Sequence, residues 1–486
     1  MSVATLAGLP DPASMPTLPS VAALRASARP RLSGRVARVI GLTVETEGVD
    51  AAIGEVLHIA AAGGSTSVPA EVVALGERGP VAMVLEQLDG LRIGDRVHAT
   101  GSPLSTSVGE ALRGRVLDGL GHPIDDGPSI DGLERLSLTN DTPHPLKRPL
   151  VREPVHLGVR ALDSMVPIGR GQRVGILAGS GVGKSSLLSM IVRGTDADIS
   201  VLALVGERGR EVREFIDCDL GPQGLERAVV VVATSDAPAL VRRNAAFVAT
   251  RIAEWFRDQG AHVNLLMDSL TRVSMAQREI GLSAGEPPAT RGYPPSTFAL
   301  MPRLLERAGT SEHGSITGIY TVLVEGDDLN DPIGDTARSI LDGHISLSRS
   351  LATSGHFPSI DVLNSISRVS SAITSPEQQS LARDLRRMLA AYRDAKDLVD
   401  IGAYQPGADP VLDRALILRG GIDGFLQQGM DERDDPGVAW QLLAQLLDAQ
   451  EPTTHLSTPI PTPLSTSVGT GPGGSSGGLS AAGGIG

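Results

Sequence analysis

The sequence predicts a multidomain chain: a small all-β barrel, an α/β domain with a mostly parallel sheet, and a closing set of helices. Three observations predict this order. Residues 30–100 break into short β-like runs punctuated by Gly, Pro and Asp. Residues 101–370 alternate apolar strand-like runs with helical stretches after a loop-rich lead-in at 101–150. Residues 371–451 carry helix-opening signals followed by apolar residues at helical spacing. A chain of 486 residues has room for several domains of ordinary size.

Taken in order, residues 1–29 form an Ala-, Pro- and Ser-rich arm in which only Val21 to Ala28 suits a short helix. The barrel strands are expected near Gly34–Val44, Gly54–Ile59, Ser67–Leu75, Val81–Leu85 and Asp95–Ala99. The lead-in centres on a loop at Gly114 to Pro123. Strands are then expected at Val174–Leu177, Ile199–Val205, Ala228–Ala233, Val263–Met267 and Ile319–Val324, with a helix over Ala237 to Gln259. Ser375-Pro376-Glu-Gln378 reads as an N-cap, a first-turn proline and a capping-box partner. Leu381, Leu385, Met388, Leu389 and Tyr392 then share one helical face, and Asp409-Pro410 opens another helix. The tail 452–486 carries no Asp, Glu, Lys or Arg, is dense in Gly, Ser, Thr and Pro, and is expected to be disordered.

Composition narrows the function. A net charge of −13 and 2% aromatic residues argue against a nucleic-acid grip, which needs a basic surface and stacking platforms. The single cysteine, Cys218, excludes an internal disulfide framework and reads as a semi-buried helical thiol in a reducing cytosol. No apolar run approaches the ~20 residues of a membrane span, and no secretory signal is visible at the N-terminus.

The chemistry centres on Ala178-Gly179-Ser180-Gly181-Val182-Gly183-Lys184-Ser185, with Ser186 next in line. An apolar run enters this stretch and a helix-compatible run leaves it, the setting a phosphate-binding loop requires. Gly179, Gly181 and Gly183 can take positive φ, so backbone N–H groups can turn inward around an anion. The following helix aims its positive end at the same place. Lys184 suits the β- and γ-phosphates and the Ser185 hydroxyl suits Mg²⁺. Ala178 replaces the usual first glycine at the strand exit. The chain is therefore expected to bind a nucleoside triphosphate, taken as ATP, with Mg²⁺.

Asp268 ends an apolar run, where a carboxylate can hold Mg²⁺ or simply cap the next helix. Glu207, in Gly206-Glu-Arg-Gly-Arg-Glu211, could orient an attacking water; an exposed, charged helix start explains it equally well. Arg208 adjoins it as a further candidate for the catalytic set. Phe357 could cover a base and Arg368 could stabilise phosphoryl charge, while packing or a surface ion pair would account for both. Both are expected after the last strand of the sheet.

Together these stretches resemble the rotary-type ATPases, the family of the ATP synthase α and β subunits. Pro358-Ser-Ile-Asp361 followed by Ser365-Ile-Ser367 fits the α/β signature. Gly158-Val-Arg-Ala-Leu-Asp163, Gly285-Glu-Pro-Pro-Ala-Thr-Arg-Gly-Tyr-Pro-Pro295, Tyr320-Thr-Val-Leu-Val-Glu-Gly-Asp-Asp328 and Ser339-Ile-Leu-Asp-Gly-His344 resemble the flagellar type III export branch. The resemblance implies a barrel, a RecA-like ATPase domain and a helical domain, assembled as a homohexamer that hydrolyses ATP to energise protein export. By position it makes Glu207 the catalytic carboxylate, Asp268 the magnesium-site residue and Arg368 an arginine finger reaching a neighbouring subunit's site. Phe357 stands where the family usually places Tyr against adenine, and Glu286 to Pro295 resembles a loop facing the central pore. The implied setting is the cytoplasm, peripherally at the inner face of the membrane through the export gate. The implied partners are stator-like and stalk-like proteins, export substrates and chaperones, with no nucleic acid.

Non-flagellar injectisome ATPases share most of these segments, but their loops more often read Ala-Pro-Gly-Gly-Gly-Lys-Ser. Two further readings are a RecA-type RNA or DNA ring motor, opposed by the acidity, and a non-catalytic nucleotide-binding ring subunit, opposed by Glu207.

Overall fold

The computed structural model describes residues 33–60, 67–86, 90–324 and 331–448. The expected N-terminal arm with its short helix, and the expected disordered tail, lie outside them.

Six strands close into a barrel: β1 (Ser33–Ile40), β2 (Thr43–Glu47), β3 (Glu55–Ala60), β4 (Ser67–Leu75), β5 (Pro80–Val84) and β6 (Arg96–Pro103). Their hydrogen-bonded order is β1-β2-β5-β4-β3-β6, with β6 returning to β1 and so leaving no exposed edge. Side chains alternate across each strand, so Val36, Leu57, Ile59, Ala70, Val72 and Val97 fill the interior. The barrel rests on the next layer through Met83 and Leu85, which pack on Ala239, Leu240 and Ile280. Arg243 Nη2 fastens the seam by donating to both oxygens of Glu71, at 2.6 and 2.8 Å.

The lead-in has more structure than a loop. β7 (Ser105–Val108) pairs antiparallel with β9 (Glu134–Ser137), and between them β8 (Val116–Asp118) joins the central sheet as its edge strand. Three residues are too short a run for the sequence pattern to register. β10 (Pro154–Val155) and β11 (Ile168–Gly169) form a short ribbon. The central strands are β12 (Arg173–Ala178), β13 (Ile199–Glu207), β14 (Ala228–Thr234) and β15 (His262–Asp268). β16 (Gly309–Thr310), β17 (Ser315–Leu323), β18 (Gly343–Leu347) and β19 (Ile360–Ser367) complete them.

The sheet order is β19-β18-β12-β17-β15-β13-β14-β8, with β16 paired only to β17. Every neighbour along that path runs parallel except β19, which is antiparallel to β18. Helices cover both faces, which is why β13 reads as a continuous apolar run. Leu202 and Leu204 point to the face of helix Lys184–Gly194, while Val201, Ala203 and Val205 point to that of helix Ala239–Asp258.

The structure corrects two expectations here. Phe357 does not follow the last strand but precedes β19, which Arg368 directly follows; polar residues on that strand's exposed edge hid it. Cys218 is exposed rather than semi-buried, because it lies on the outer side of the irregular helical turn Phe215–Leu220.

Three helices, Pro376–Asp400, Pro410–Leu426 and Val438–Asp448, pack on the same face as helix Lys184–Gly194. The capping box of Ser375 and Gln378 forms in both directions, and the Asp409 side chain accepts from Val411 N and Leu412 N. Leu385 and Met388 are buried, with Leu381, Leu389 and Tyr392 packed beside them.

Candidate nucleotide site

β12 ends at the buried Ala178, and its helix begins at Lys184. Gly181 and Gly183 take φ of 75° and 87°, a region that side chains with a Cβ rarely adopt. Gly179 does not share that conformation. Its missing Cβ instead makes room for a guanidinium, since a Cβ there would lie 3.0 Å from Arg349 Nη2. Ser180 and Gly181 are exposed at the loop's tip, and Val182 is buried beneath it. No side chain caps the start of that helix, and the N–H groups of a helix's first turn favour an anion there. Ser185 lines the adjoining cavity, and Ser186 lies half-buried next along the helix. A second segment braces the loop: Ser359 Oγ donates to Val182 O at 2.6 Å, and a Cβ on Gly183 would meet the Phe357 ring at 3.4 Å. Phe357 is 46% exposed, so part of its ring is open to a planar ligand beside the loop.

Parallel register brings the acidic residues to the same end of the sheet, where β13 ends at Glu207 and β15 at Asp268. Lys184 Nζ lies 2.6 Å from Asp268 Oδ1 and 3.6 Å from Glu207 Oε1. The same Asp268 oxygen accepts from Thr321 Oγ1 at 2.8 Å, which fixes the carboxylate although its residue is only 4% exposed. Glu207 is pushed above the ordinary glutamate range by burial and by the charge of Asp268; Lys184 and Arg272 oppose this without cancelling it.

Ser185, Glu207 and Asp268 line one cavity of about 240 Å³, bounded by Val212 and Phe215. Ser185 and Asp268 offer the hard oxygen donors that Mg²⁺ takes. Among the described residues no group of three or more His, Cys, Asp and Glu could hold a metal alone. That donor set fits an ion whose remaining ligands come from phosphate oxygens and water.

Arg208 and Arg368 do not join this cluster. The Arg208 side chain is 77% exposed and its Nη1 pairs with Glu211 at 3.2 Å. Because β19 runs antiparallel, Ile360 opposes Leu347 near the phosphate loop and Ser367 opposes Gly343 at the far end. Arg368 therefore emerges at the amino end of the sheet, exposed, with its N–H on Asp342 O and Nη2 on Arg338 O. It is a full strand length from its own chain's Lys184.

Arg272 was not singled out by sequence. It follows Asp268 by one helical turn, in helix Leu270–Ser283. Its methylenes cover Gly206, where a Cβ would come within 3.0 Å, and its buried Nε has no hydrogen-bond partner. A cation four residues beyond a strand-tip carboxylate was the available signal.

Fold and site define a P-loop protein that binds nucleotide at the carboxyl end of a parallel sheet. A family model for the ATP synthase alpha/beta family, nucleotide-binding domain, matches residues 158–367, and one for the T3SS EscN ATPase C-terminal domain matches residues 374–445. The flagellum-specific ATP synthase of Bacillus subtilis is 52% identical over 82% of this chain and 91% of its own. The type 3 secretion system ATPase of Xanthomonas euvesicatoria is 47% identical over 86% and 95%. The assembled ATPase EscN of the enteropathogenic E. coli type III secretion system superposes with a TM-score of 0.80 at 44% identity, covering 85% of this chain and 100% of that one. The chain belongs to the ATP synthase alpha/beta family, among its flagellar and type III secretion ATPases.

Proposed function

We propose that this chain hydrolyses ATP to energise protein export through a bacterial flagellar type III apparatus, working as a homohexameric ring. The observation that carries the reading is the convergence of Lys184, Asp268 and Glu207 at the mouth of the phosphate loop. Water attacks the terminal phosphate in line. Glu207, made more basic than an ordinary glutamate by its surroundings, accepts a hydrogen bond from that water and orients it. Lys184 and the loop's N–H groups take up charge on the phosphates, and Phe357 covers the base. Ser185 and Asp268 would hold Mg²⁺, which would supply further neutralisation of phosphate charge. Arg368 serves the pocket of a neighbouring copy, a reading supported by its exit at the opposite end of the sheet. Arg208 belongs to the candidate set only if its exposed side chain leaves Glu211 when the ring closes.

The flagellar branch is favoured by the loop Ala178-Gly-Ser-Gly-Val-Gly-Lys-Ser185. The injectisome is the second reading, favoured by the match of residues 374–445 to the EscN C-terminal domain. A structure of EscN with its central stalk EscO supports a stalk-like partner here too. Stator-like proteins, chaperones, export substrates and a cytoplasmic place beside the export gate complete the proposal. Among the described residues no helix is long and apolar enough to cross a membrane.

The test is phosphate release from Mg-ATP across a range of protein concentrations. Specific activity should climb as copies assemble. No turnover at any concentration, with ATP still bound, would instead make this a binding subunit. Expression in two hosts, one lacking its flagellar export ATPase and one lacking its injectisome ATPase, then separates the branches: restored motility in the first supports the flagellar reading, and restored effector secretion in the second without restored motility in the first supports the injectisome.

A further inference from the structure

The segment Ser348 to Ser359, between β18 and β19, folds over the phosphate loop from the side opposite β13 and β15. Ser348 N donates to Ser359 O at 2.8 Å and closes the segment on itself. It then meets the loop along its length: Ser359 at Val182, Phe357 at Gly183 and Arg349 at Gly179. Arg349 opens the short helix Arg349–Thr353, and a Cβ on Gly179 would lie 3.9 Å from its Cζ as well as 3.0 Å from Nη2. The guanidinium is exposed and, unlike Arg208, has no hydrogen bond or ion pair among the described residues. An uncompensated cation at the entrance of an anion-binding loop raises the positive potential there, and its planar fork matches two phosphate oxygens.

We infer that Arg349 is a phosphate-binding residue of the nucleotide site, acting on the distal end of the phosphate chain. The direction follows from the order of contacts. The Phe357 ring marks the base side at Gly183, where the loop ends, so a chain of phosphates leads away toward Gly179 and Arg349. The inference rests on the ATP reading, extends it to a residue outside the phosphate-loop motif, and makes the glycine at position 179 a requirement of Arg349 rather than of loop conformation.

The test is equilibrium binding of ATP, ADP and AMP to the full chain in the presence of Mg²⁺, for wild type, Arg349→Ala, Arg349→Lys and Phe357→Ala. Arg349→Ala should weaken ATP and ADP by about tenfold or more while changing AMP little. Arg349→Lys should recover part of the loss as a point charge. Phe357→Ala should weaken all three nucleotides alike. Unchanged ATP affinity in Arg349→Ala overturns the inference, as does an equal loss for AMP, which would mean that the loop itself had been disturbed. If the wild-type chain binds none of the three, the ATP reading fails first. If it binds ATP and Arg349→Ala matches it, the inference alone fails.

Discussion

At the carboxyl end of the central sheet, Glu207 sits half-buried with its nearest cation, Lys184 Nζ, 3.6 Å away and shared with Asp268. At the amino end, Glu254 is buried completely and receives Arg307 Nε and Nη2 at 2.7 Å each, Asn140 Nδ2 at 2.8 Å and Arg251 Nη1 at 3.0 Å. Burial alone raises a carboxyl pKa in both places. At Glu254 the hydrogen bonds and charge of Arg307 outweigh it and hold the group below the ordinary range; at Glu207 nothing does, and the group stays above it. A carboxylate with every oxygen satisfied is a fastener. One left underpaired beside a cavity is a group ready to handle a proton.

Arg368 tests the comparison most severely, since it lies at the structural end of the sheet yet is exposed like a functional group. Arg368→Ala should cut turnover by about 10³-fold or more while leaving ATP binding nearly intact. Mixing it with Glu207→Gln chains should restore measurable phosphate release, because some interfaces then unite an intact Glu207 with an intact Arg368. A mixture as dead as either parent would place both residues in one chain's own site, or leave Arg368 outside catalysis.

Next in size is Glu254→Ala, which strands Arg307 in a dry interior. It should lower the unfolding free energy by about 3–5 kcal/mol, read by denaturant titration, and a loss near zero would show the pair to be ornamental. The lowered pKa of Glu254 means that its stabilisation is present above the unfolded-state pKa and is lost as pH falls through the folded one.

Glu207 has the opposite sign. Its raised pKa makes folding favour the protonated form, so its contribution is greatest at low pH and is lost as pH rises through the folded pKa. Glu207→Gln should therefore melt higher than wild type at neutral pH, with the gap closing toward pH ~4. A gap that widens in acid would mean that Lys184 holds Glu207 more firmly than burial disfavours it. Smallest is Ser375→Ala, which removes half a capping box outside the nucleotide site and should cost about 1 kcal/mol with turnover per folded chain unchanged.

The fastener and the functional end were not equally legible in the sequence. β12 to β15 and β17 announce themselves because burial on both faces demands unbroken apolar runs, and the glycines with Lys184-Ser185 mark the loop by chemistry alone. β8 and β19 are edge strands: one is three residues long, and the other exposes Asn364 and Ile366, so neither shows a clean period. Arg272 and Arg349 gain their meaning only when a helix turns onto Gly206 or a segment folds over Gly179, contacts that pattern and spacing do not encode. The pair of Glu254 and Arg307 joins residues 53 apart, and neither residue type is one that pattern reading assigns to an interior.

The antiparallel course of β19 carries a genetic consequence. If Arg368 serves the next copy around the ring, a chain damaged only there keeps a sound pocket of its own and disables its neighbour's. In a cell making both versions, the harm would fall on the normal product, and the allele would behave as dominant although the protein it encodes still binds ATP.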